Sequence, residues 1–522
     1  MNTAKIPAFD ETAVITKREN LGSLVHYFKN TERIGYDAYR EYLKENGANE
    51  CEAFERDGHL FSAFRKDDKA YFLNYYEIIK ELYIAEETDS LYFDHENKSG
   101  EAICAPQITQ IDLEDFGMSY VIRLSDGRFI VFDGGRNFAP DADKLFDCLK
   151  NGTASERPRI AAWIMTHPHT DHFHCFVGFM EVYGTLVDID AFYFNFPEHD
   201  DIENFPALAK SGANFEYDTS GVAYIPKMYD AIEKTSAKIY TPHTGQTYVI
   251  GDAVCEILAS MDDTIHRSSD INSTSLVIRM QLGGQVILWA ADAAFSTAQI
   301  VEKHGKYLKS DILQVPHHGF GCGLAKAEID AYELIKPETC FMPVAPYHGY
   351  TVFSAHKEGT RHLMRRVGVK EIIMGIPRRT ITLPYTPHPS AERLIEESYL
   401  SGMDNSGAPT WIFTDLSTAC SEDFNFTFLN TTINNVTVDI DIYFENPALN
   451  VSRIKVTLGR KCIKTLSIVG EEVDSEWRFY NPSSLKKKGI PENEPFAVRF
   501  MSDTPIVISN KNHKATYYTS NR

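Results

Sequence analysis

Thr166-His167-Pro168-His169-Thr170-Asp171-His172 puts three imidazoles and one carboxylate within six positions of one another. Neutral imidazole nitrogens and carboxylate oxygens are the donors that Zn²⁺ and similar borderline divalent ions take, and one such stretch can serve two adjacent ions. Four of the 18 histidines fall between His167 and His174, a density that a merely polar turn has no reason to show. Immediately upstream runs Ile160-Ala161-Ala162-Trp163-Ile164-Met165, apolar and of strand length. The histidines therefore read as a loop at the end of a buried strand, where α/β folds keep their chemistry.

Three further stretches deliver the same kinds of side chain. The apolar run 286–291 follows Gly283-Gly284 and ends in Asp292, a carboxylate placed to bridge two cations. A second apolar run, 310–315, leads into Pro316-His317-His318-Gly319, where the glycine lets backbone approach closely. Between residues 119 and 132 a strand, the turn Ser125-Asp126-Gly127-Arg128 and a second strand form a hairpin that ends in Asp133-Gly134-Gly135.

The pattern H-x-H-x-D-H at a strand end resembles the signature of the metallo-β-lactamase fold superfamily, and the resemblance extends over about residues 108–386. Asn272-Ser273-Thr274-Ser275-Leu276, Gly283-Gly284, Asp292 and Val315-Pro316-His317-His318-Gly319 occur in the order of one branch. That branch holds the hydrolase domain of ComEC-type competence proteins and the phosphorylcholine esterases. The resemblance implies an α/β (α+β) class, an αββα four-layer sandwich and two divalent metal ions, Zn by expectation with Mn or Fe as alternatives. His167 and His169 would hold one ion, Asp171, His172 and His318 the other, with Asp292 between them and Asp133 bracing the histidines from behind. His317 would face the phosphate or leaving group. The reaction implied is hydrolysis of a phosphoric ester, a phosphodiester before others, by a metal-bound hydroxide. Asp171 would orient that nucleophile and His317 would protonate the leaving oxygen. Many relatives carry one more metal histidine before the bridging aspartate. Here His199, His243 and His266 are available, none in a motif context, and water or substrate could fill the position instead.

A chain of 522 residues exceeds one ordinary domain, and three regions suggest themselves. Residues 1–105 form an N-terminal β-rich module with a helix at 36–45 and a meander at 51–93, whose Phe61, Phe64, Tyr71 and Phe72 pack on sheet neighbours. Residues 106–395 form the hydrolase domain, with helices at 141–149, 176–183, 225–235, 297–304 and 357–367. The last helix carries Arg361, Arg365 and Arg366, and His348 and His356 lie in a loop within reach of the pocket. Residues 404–522 read as a small β-sandwich with strands at 424–429, 436–444, 453–458, 463–469, 496–501 and 506–509. Residues 438–445 and 501–508 resemble the sensory rhodopsin transducer family, an oligomeric β-sandwich, which implies an interaction module and a route to a homo-oligomer.

Composition narrows the function classes. With 43% hydrophobic and 24% charged residues, the chain has an ordinary globular balance and no apolar stretch of bilayer length. The first 19 residues lack an apolar core of the secretory kind, and nine cysteines lie without CxxC pairs. The expectation is a cytoplasmic protein with reduced thiols and no membrane partner. A formal charge of −21 repels a phosphate backbone, and Lys486-Lys487-Lys488 reads as a solvated loop. A small phosphoester remains suitable, because two bound cations make a local field that outweighs a screened, diffuse one. The competing readings are a competence-type nuclease and a non-catalytic metal-binding scaffold. A β-lactamase or lactonase fits the His-His-Gly arrangement less well, and a redox di-iron enzyme would need a flavin domain that the sequence lacks.

Overall fold

Asp57 and Gly58 both take positive φ, 46° and 81°. That is the primed two-residue turn whose twist matches flanking antiparallel strands, and Asp-Gly is a preferred sequence for it. In the computed structural model the described residues are 14–18, 23–95, 97–113, 117–136, 139–197, 221–264, 266–267, 270–320, 326–344, 360–375, 378–388, 408–417, 421–430, 432, 434–445, 447–467, 470–473, 476–479, 495–510 and 515–518. His199, His348, His356 and Lys486 to Lys488 lie outside them, as do the side chains of Arg361 and Arg365. The chain divides into two compact units, Met1–Pro346 with Glu358–Pro387, and Tyr347–Lys357 with His388–Arg522.

The first unit opens with an antiparallel sheet of β1 (Val14–Arg18), β2 (Ser23–Phe28), β3 (Asn49–Arg56), β4 (His59–Lys66), β5 (Lys69–Tyr76) and β6 (Glu81–Thr88), in the order β1-β2-β6-β5-β4-β3. Helix α1 (Arg33–Glu45) presents Tyr36, Tyr39 and Leu43, one stripe at helical spacing, to Phe64, Leu73 and Tyr75 on one face of this sheet. Because strand side chains alternate, Phe61, Ala63, Phe72 and Ala85 point the other way and join the main core. The aromatics of the meander are thus packing residues.

Two eight-stranded sheets follow. The first comprises β8 (Gln107–Gln110), β9 (Ser119–Arg123), β10 (Phe129–Asp133), β11 (Arg159–Ile164), β12 (Asp188–Ile189), β13 (Ala191–Tyr193), β14 (Lys238–Tyr240) and β22 (Arg379–Thr382). Its order is β14-β13-β11-β10-β9-β8-β22, with β12 also on β11, and the pairs from β10 to β14 are parallel. The second comprises β7 (Asn97–Lys98), β15 (Thr247–Gly251), β16 (Ala253–Ala259), β17 (Val277–Leu282), β18 (Gln285–Trp289), β19 (Ile312–Gln314), β20 (Thr339–Met342) and β21 (Glu371–Met374). It runs β21-β20-β19-β18-β17-β16-β15-β7, antiparallel from β15 to β18 and parallel from β18 to β21.

Alternation along the strands gives each sheet two jobs. Ile130, Phe132, Ala162 and Ile164 share one core with Ile278, Trp289 and Phe341 of the second sheet, and the Phe132 ring stacks on Trp289 at 4.5 Å. Val131, Trp163 and Phe192 face outward, against α2 (Ala139–Asn151), α3 (Thr170–Tyr183) and α4 (Ile225–Ile232). Each fully buried Ile or Phe contributes about 1.5–3 kcal/mol to this packing. The unit is mixed α/β and rich in sheet. Helices α5 (Ile300–His304), α6 (Lys326–Ile335) and α7 (Thr360–Val367) complete the helices described in it. The expected helix at 297–304 shortens to α5 because Gln299 adopts a positive φ of 51°. Helix α6 was not anticipated.

A larger difference concerns the histidine stretch. Instead of a loop followed by a helix from 176, α3 starts at Thr170, and the His172 and Phe173 amides donate to the His169 carbonyl. Asp171 and His172 are held in a first helical turn, where a carboxylate is favoured by the helix dipole.

The second unit contains β23 (Ala408–Ser417), β24 (Asn425–Asn430), β25 (Val436–Phe444), β26 (Val451–Leu458), β27 (Cys462–Ser467), β28 (Gly470–Val473), β29 (Glu476–Phe479), β30 (Pro495–Asn510) and β31 (Ala515–Tyr518). The two strands expected at 496–501 and 506–509 are one strand, β30. Its first half pairs with β25 and its last residues with β24. Trp411, Phe413, Phe426, Val438, Phe500 and Ile508 lie in its core. Among the described residues of the chain no helix is long and apolar enough to cross a membrane, and no two of the seven described cysteines are joined by a disulfide.

Candidate metal centre

Residues with chemistry gather where the parallel strands end. Asp133 is the last residue of β10, residues 166–172 follow β11, Asp292 follows β18, His317 and His318 follow β19, and Pro343 follows β20. Backbone bonds pin these segments together: Leu276 N–H donates to the Thr166 carbonyl at 3.0 Å, Gly135 to His172 at 2.8 Å and His317 to Ala291 at 2.9 Å. Met118 N–H donates to the Asp171 carbonyl at 3.1 Å. A Cβ on neighbouring Gly117, at φ 147°, would meet that oxygen at 2.6 Å, so only glycine fits there. Four non-glycine residues take positive φ at this one spot, Asp133 (53°), Ala291 (46°), His317 (49°) and His318 (54°). Backbone strain of this kind costs about 1–3 kcal/mol per residue and collects at functional sites.

His167, His172, Asp133, Asp292 and His318 are 0–3% exposed, and Asp171 and His169 only 6–7%. Donor atoms of Asp171, His172, Asp292 and His318 lie within 4.8 Å of one another, as do those of His167, His169 and Asp292, so Asp292 belongs to both groups. Asp133 sits behind them. Its carboxylate accepts from Thr166 N at 2.7 Å, from Thr166 Oγ1 at 2.8 Å and from His172 Nδ1 at 2.7 Å. The Asp133 carbonyl accepts from Trp163 Nε1 at 2.7 Å, which anchors the strained residue to the core.

Hydrogen-bond roles decide what the pocket lacks. His172 Nδ1 faces a carboxylate, and His318 Nδ1 faces the Pro343 carbonyl at 3.1 Å. Both partners only accept, so both rings carry a proton on Nδ1. In their neutral forms they then turn bare Nε2 atoms inward, 3.4 Å from each other. His172 Nε2 is 3.1 Å from Asp292 Oδ1, and His318 Nε2 is 3.0 Å from Asp171 Oδ2 and 3.3 Å from Asp292 Oδ2. His169 Nε2 is buried without a hydrogen-bond partner. Acceptors facing acceptors in a buried site require either protons or a cation between them.

The pKa directions say the same. Burial opposes a charged His172, but Asp292, Asp133 and Asp171 outweigh it and push the ring well above its usual 6.5. His318 is pushed up to about 9 against burial by Asp292 and Asp171. Burial disfavours charged Asp171 and Asp292, yet His172 and His318 hold both well below the ordinary carboxylate range. His167 goes the other way, kept neutral by burial and by His172 and His169. The pocket demands positive charge, and its nitrogen and oxygen donors fit divalent ions of the Zn or Mn kind. These buried histidines and aspartates could hold metal ions.

All six metal-ligand candidates meet here, with Asp133 behind. His317 is half-buried on the rim, its Nε2 3.5 Å from Asn272 Nδ2, with the exposed Phe320 ring edge-on at 5.4 Å. Neither described candidate for an extra histidine reaches the pocket. His243 lies between Asp262 on Nδ1 and Glu87 on Nε2, and His266 packs on the Tyr27 ring at 4.0 Å. Three contributors were not anticipated. Asn272 Oδ1 is 3.2 Å from His167 Nε2, Ser275 Oγ accepts from Asp292 N at 3.2 Å, and Gln314 Oε1 accepts from the Ala290 and Ala291 amides at 2.9 and 2.6 Å. Asn272 and Ser275 stood in a motif of the resemblance without a role of their own, and Gln314 had only its position at the end of an apolar run as a signal.

No family model and no curated protein matches the chain. Among solved structures, a metallo hydrolase of the hyperthermophilic archaeon Ignicoccus hospitalis KIN4/I is 13% identical, covering 54% of this chain and 100% of its own, at a TM-score of 0.31. The Anabaena sensory rhodopsin transducer is 18% identical, covering 20% of this chain and 95% of its own, at a TM-score of 0.16. With TM-scores this low, the chemistry has to be read from the residues of the pocket.

Proposed function

We propose that the chain is a metal-dependent hydrolase of phosphoric esters, with phosphodiesters as its preferred class. In this reading the first unit carries the αββα sandwich of the metallo-β-lactamase superfamily, in its ComEC-like and phosphorylcholine-esterase-like branch. The observation that supports it is the pair of buried ligand groups sharing Asp292, with bare ring nitrogens and carboxylate oxygens aimed at one another.

Two divalent ions, when bound, would supply Lewis acidity toward phosphoryl oxygens and lower the pKa of a water toward neutral. The rest is the work of side chains. His167 and His169 would hold one ion, Asp171, His172 and His318 the other, and Asp292 both. Asp133 and Thr166 fix the His172 ring and its proton on Nδ1. Asp171 would also orient the attacking water. His317, half-buried on the rim, would give one to the departing oxygen. No serine or cysteine nucleophile is needed. A chain at −21 suits a small phosphoester better than a nucleic acid, and the second unit would provide self-association.

The test is hydrolysis of bis-p-nitrophenyl phosphate by protein reconstituted with Mn²⁺ or with Zn²⁺, with Asp292→Ala as control. Turnover that vanishes in the control supports the reading. Two bound ions without turnover would point to carboxylic esters or nucleic acids, and no bound ion would leave a scaffold role in front.

A further inference from the structure

We propose that Asn272 is the third protein ligand of the ion held by His167 and His169, through its side-chain carbonyl oxygen. This rests on the metal-hydrolase reading and adds to the first site a member that the resemblance left without a role. Asn272 is buried in the turn Ile271–Thr274, just before β17. Its amide can face only one way. Asp270 accepts from the Asn272 backbone N–H at 3.0 Å and from Nδ2 at 3.4 Å, and a carboxylate has no proton to return to an amide oxygen. Oδ1 is therefore the end that meets His167 Nε2, at 3.2 Å.

The imidazole is oriented from its other side. Thr166 Oγ1 gives its one proton to Asp133 Oδ2 at 2.8 Å, so it can only accept from His167 Nδ1 at 3.2 Å. A neutral ring with its proton on Nδ1 leaves Nε2 bare. An amide oxygen and a ring nitrogen, both acceptors, then face each other in a buried pocket. Such a pair is unfavourable alone and becomes favourable when both lone pairs share a cation. Asp292 Oδ2 is 3.9 Å from the same Nε2, and the unpartnered Nε2 of His169 completes a set of two nitrogens and two oxygens. An amide oxygen in place of a third imidazole makes this site harder in the Lewis sense and moves it toward Mn²⁺. Nδ2, on the far side of the amide, lies 3.5 Å from His317 Nε2, which ties the ligand to the rim residue.

The experiment is calorimetric titration of the whole metal-free chain with Mn²⁺ and, separately, Zn²⁺, with thermal unfolding of each variant as a check on folding. Wild type should take up two ions. Asn272→Ala should weaken one site by at least about tenfold and leave the other within about twofold. Asn272→Asp, which puts a charge on the same atom, should tighten that site by about tenfold, and Asn272→His should raise its preference for Zn²⁺ over Mn²⁺. If Asn272→Ala unfolds early, Asn272→Asp decides. Wild-type affinity at both sites in Asn272→Asp, or in a folded Asn272→Ala, overturns the assignment and leaves the metal centre standing. A wild-type chain that binds neither ion overturns the metal reading and the assignment together.

Discussion

Two buried clusters of ionisable side chains in the first unit are built from the same residue types and are closed in opposite ways. Where the N-terminal sheet meets the second eight-stranded sheet, charges are answered inside the protein. Lys303, 0% exposed, puts Nζ 3.1 Å from Asp263 Oδ1, and Asp263 also accepts from Thr244 Oγ1 and Ser260 N. His243 sits between Asp262 and Glu87 and is pushed up to about 10, the two carboxylates outweighing burial. Arg267 pairs with Glu81, which also accepts from Tyr27 at 2.6 Å and Tyr83 at 3.0 Å. At the strand ends, by contrast, bare imidazole nitrogens face carboxylates and one another. Residue type does not separate the two clusters. Which groups face one another does.

The comparison breaks most visibly at Lys303. Lys303→Met leaves the Asp263 charge buried without its cation and is expected to cost about 3–5 kcal/mol, read as a fall in the urea midpoint at constant slope. Metal uptake per folded molecule should stay at the wild-type level. A loss of metal binding in folded Lys303→Met would mean that the two clusters are one system.

The converse manipulation is to supply or withdraw the ions. At a hundredfold excess over the dissociation constant, Zn²⁺ or Mn²⁺ should add about 2.7 kcal/mol per site to wild-type stability, and chelation should remove it. Lys303→Met should keep that increment, while Asp292→Ala should lose it. Equal metal stabilisation of wild type and Asp292→Ala would place the ions somewhere else.

How much of this was legible in the sequence follows from the same contrast. Apolar runs ending in His167, Asp292 and His317-His318 announced strand ends that gather histidines and aspartates, because a buried strand is recognisable by composition and its C-terminal end is where chemistry sits. What stayed hidden depended on hydrogen-bond closure or on distance along the chain. Asn272 stood in a motif of the resemblance, but its role did not show until Asp270 was seen to orient it. The start of α3 at Thr170 was masked because Pro168 and the histidines read as loop, although Asp171 is an ordinary first-turn residue. The closed cluster joins residues such as His59 and His304, whose rings meet edge-to-face at 5.4 Å, and no periodicity foretells that. Strand β30 was divided in two by Ser502-Asp503-Thr504-Pro505, which reads as a turn.

A pH series sharpens the contrast further. Burial drives His59 down to about 4 and His304 down to about 3. His59 Nε2 bonds Asn74 Oδ1 at 2.8 Å, and His304 Nε2 donates to the Leu258 carbonyl at 2.7 Å. With folded pKa values below the unfolded 6.5, both contribute stability that is present above 6.5 and lost as pH falls toward those values. For His59 alone the loss between about pH 7.5 and about pH 5 is on the order of 2 kcal/mol. His59→Gln, whose amide can still donate to Asn74, should lose about that much less over the same interval. His243 works in the other direction: its stabilisation is full below 6.5 and disappears as pH rises toward about 10. Urea midpoints of wild type and His59→Gln at the two acidities decide the matter, and parallel losses would refute the assignment of the acid limb to His59.

The smallest effects come from a matched pair of hydroxyls, and they test the comparison most directly. Thr166 Oγ1 donates to Asp133 in the open cluster, and Thr244 Oγ1 donates to Asp263 in the closed one. Each bond joins a buried hydroxyl to a buried carboxylate, so each Thr→Val change should cost about 1–2 kcal/mol of stability. Their effects on metal should part. Without the Thr166 hydroxyl, Asp133 keeps only the backbone N–H of residue 166 and His172 Nδ1, and His167 Nδ1 loses its acceptor. Both histidine groups are then less firmly oriented, and Thr166→Val should weaken both metal sites by about tenfold, unlike Asn272→Ala, which should weaken one. Thr244→Val should leave both affinities unchanged, because nothing it touches faces the strand-end pocket. Calorimetric titration of the two variants side by side reads this out. If both lower metal affinity equally, or neither does, the distinction between a closed cluster and an open one does not describe this protein.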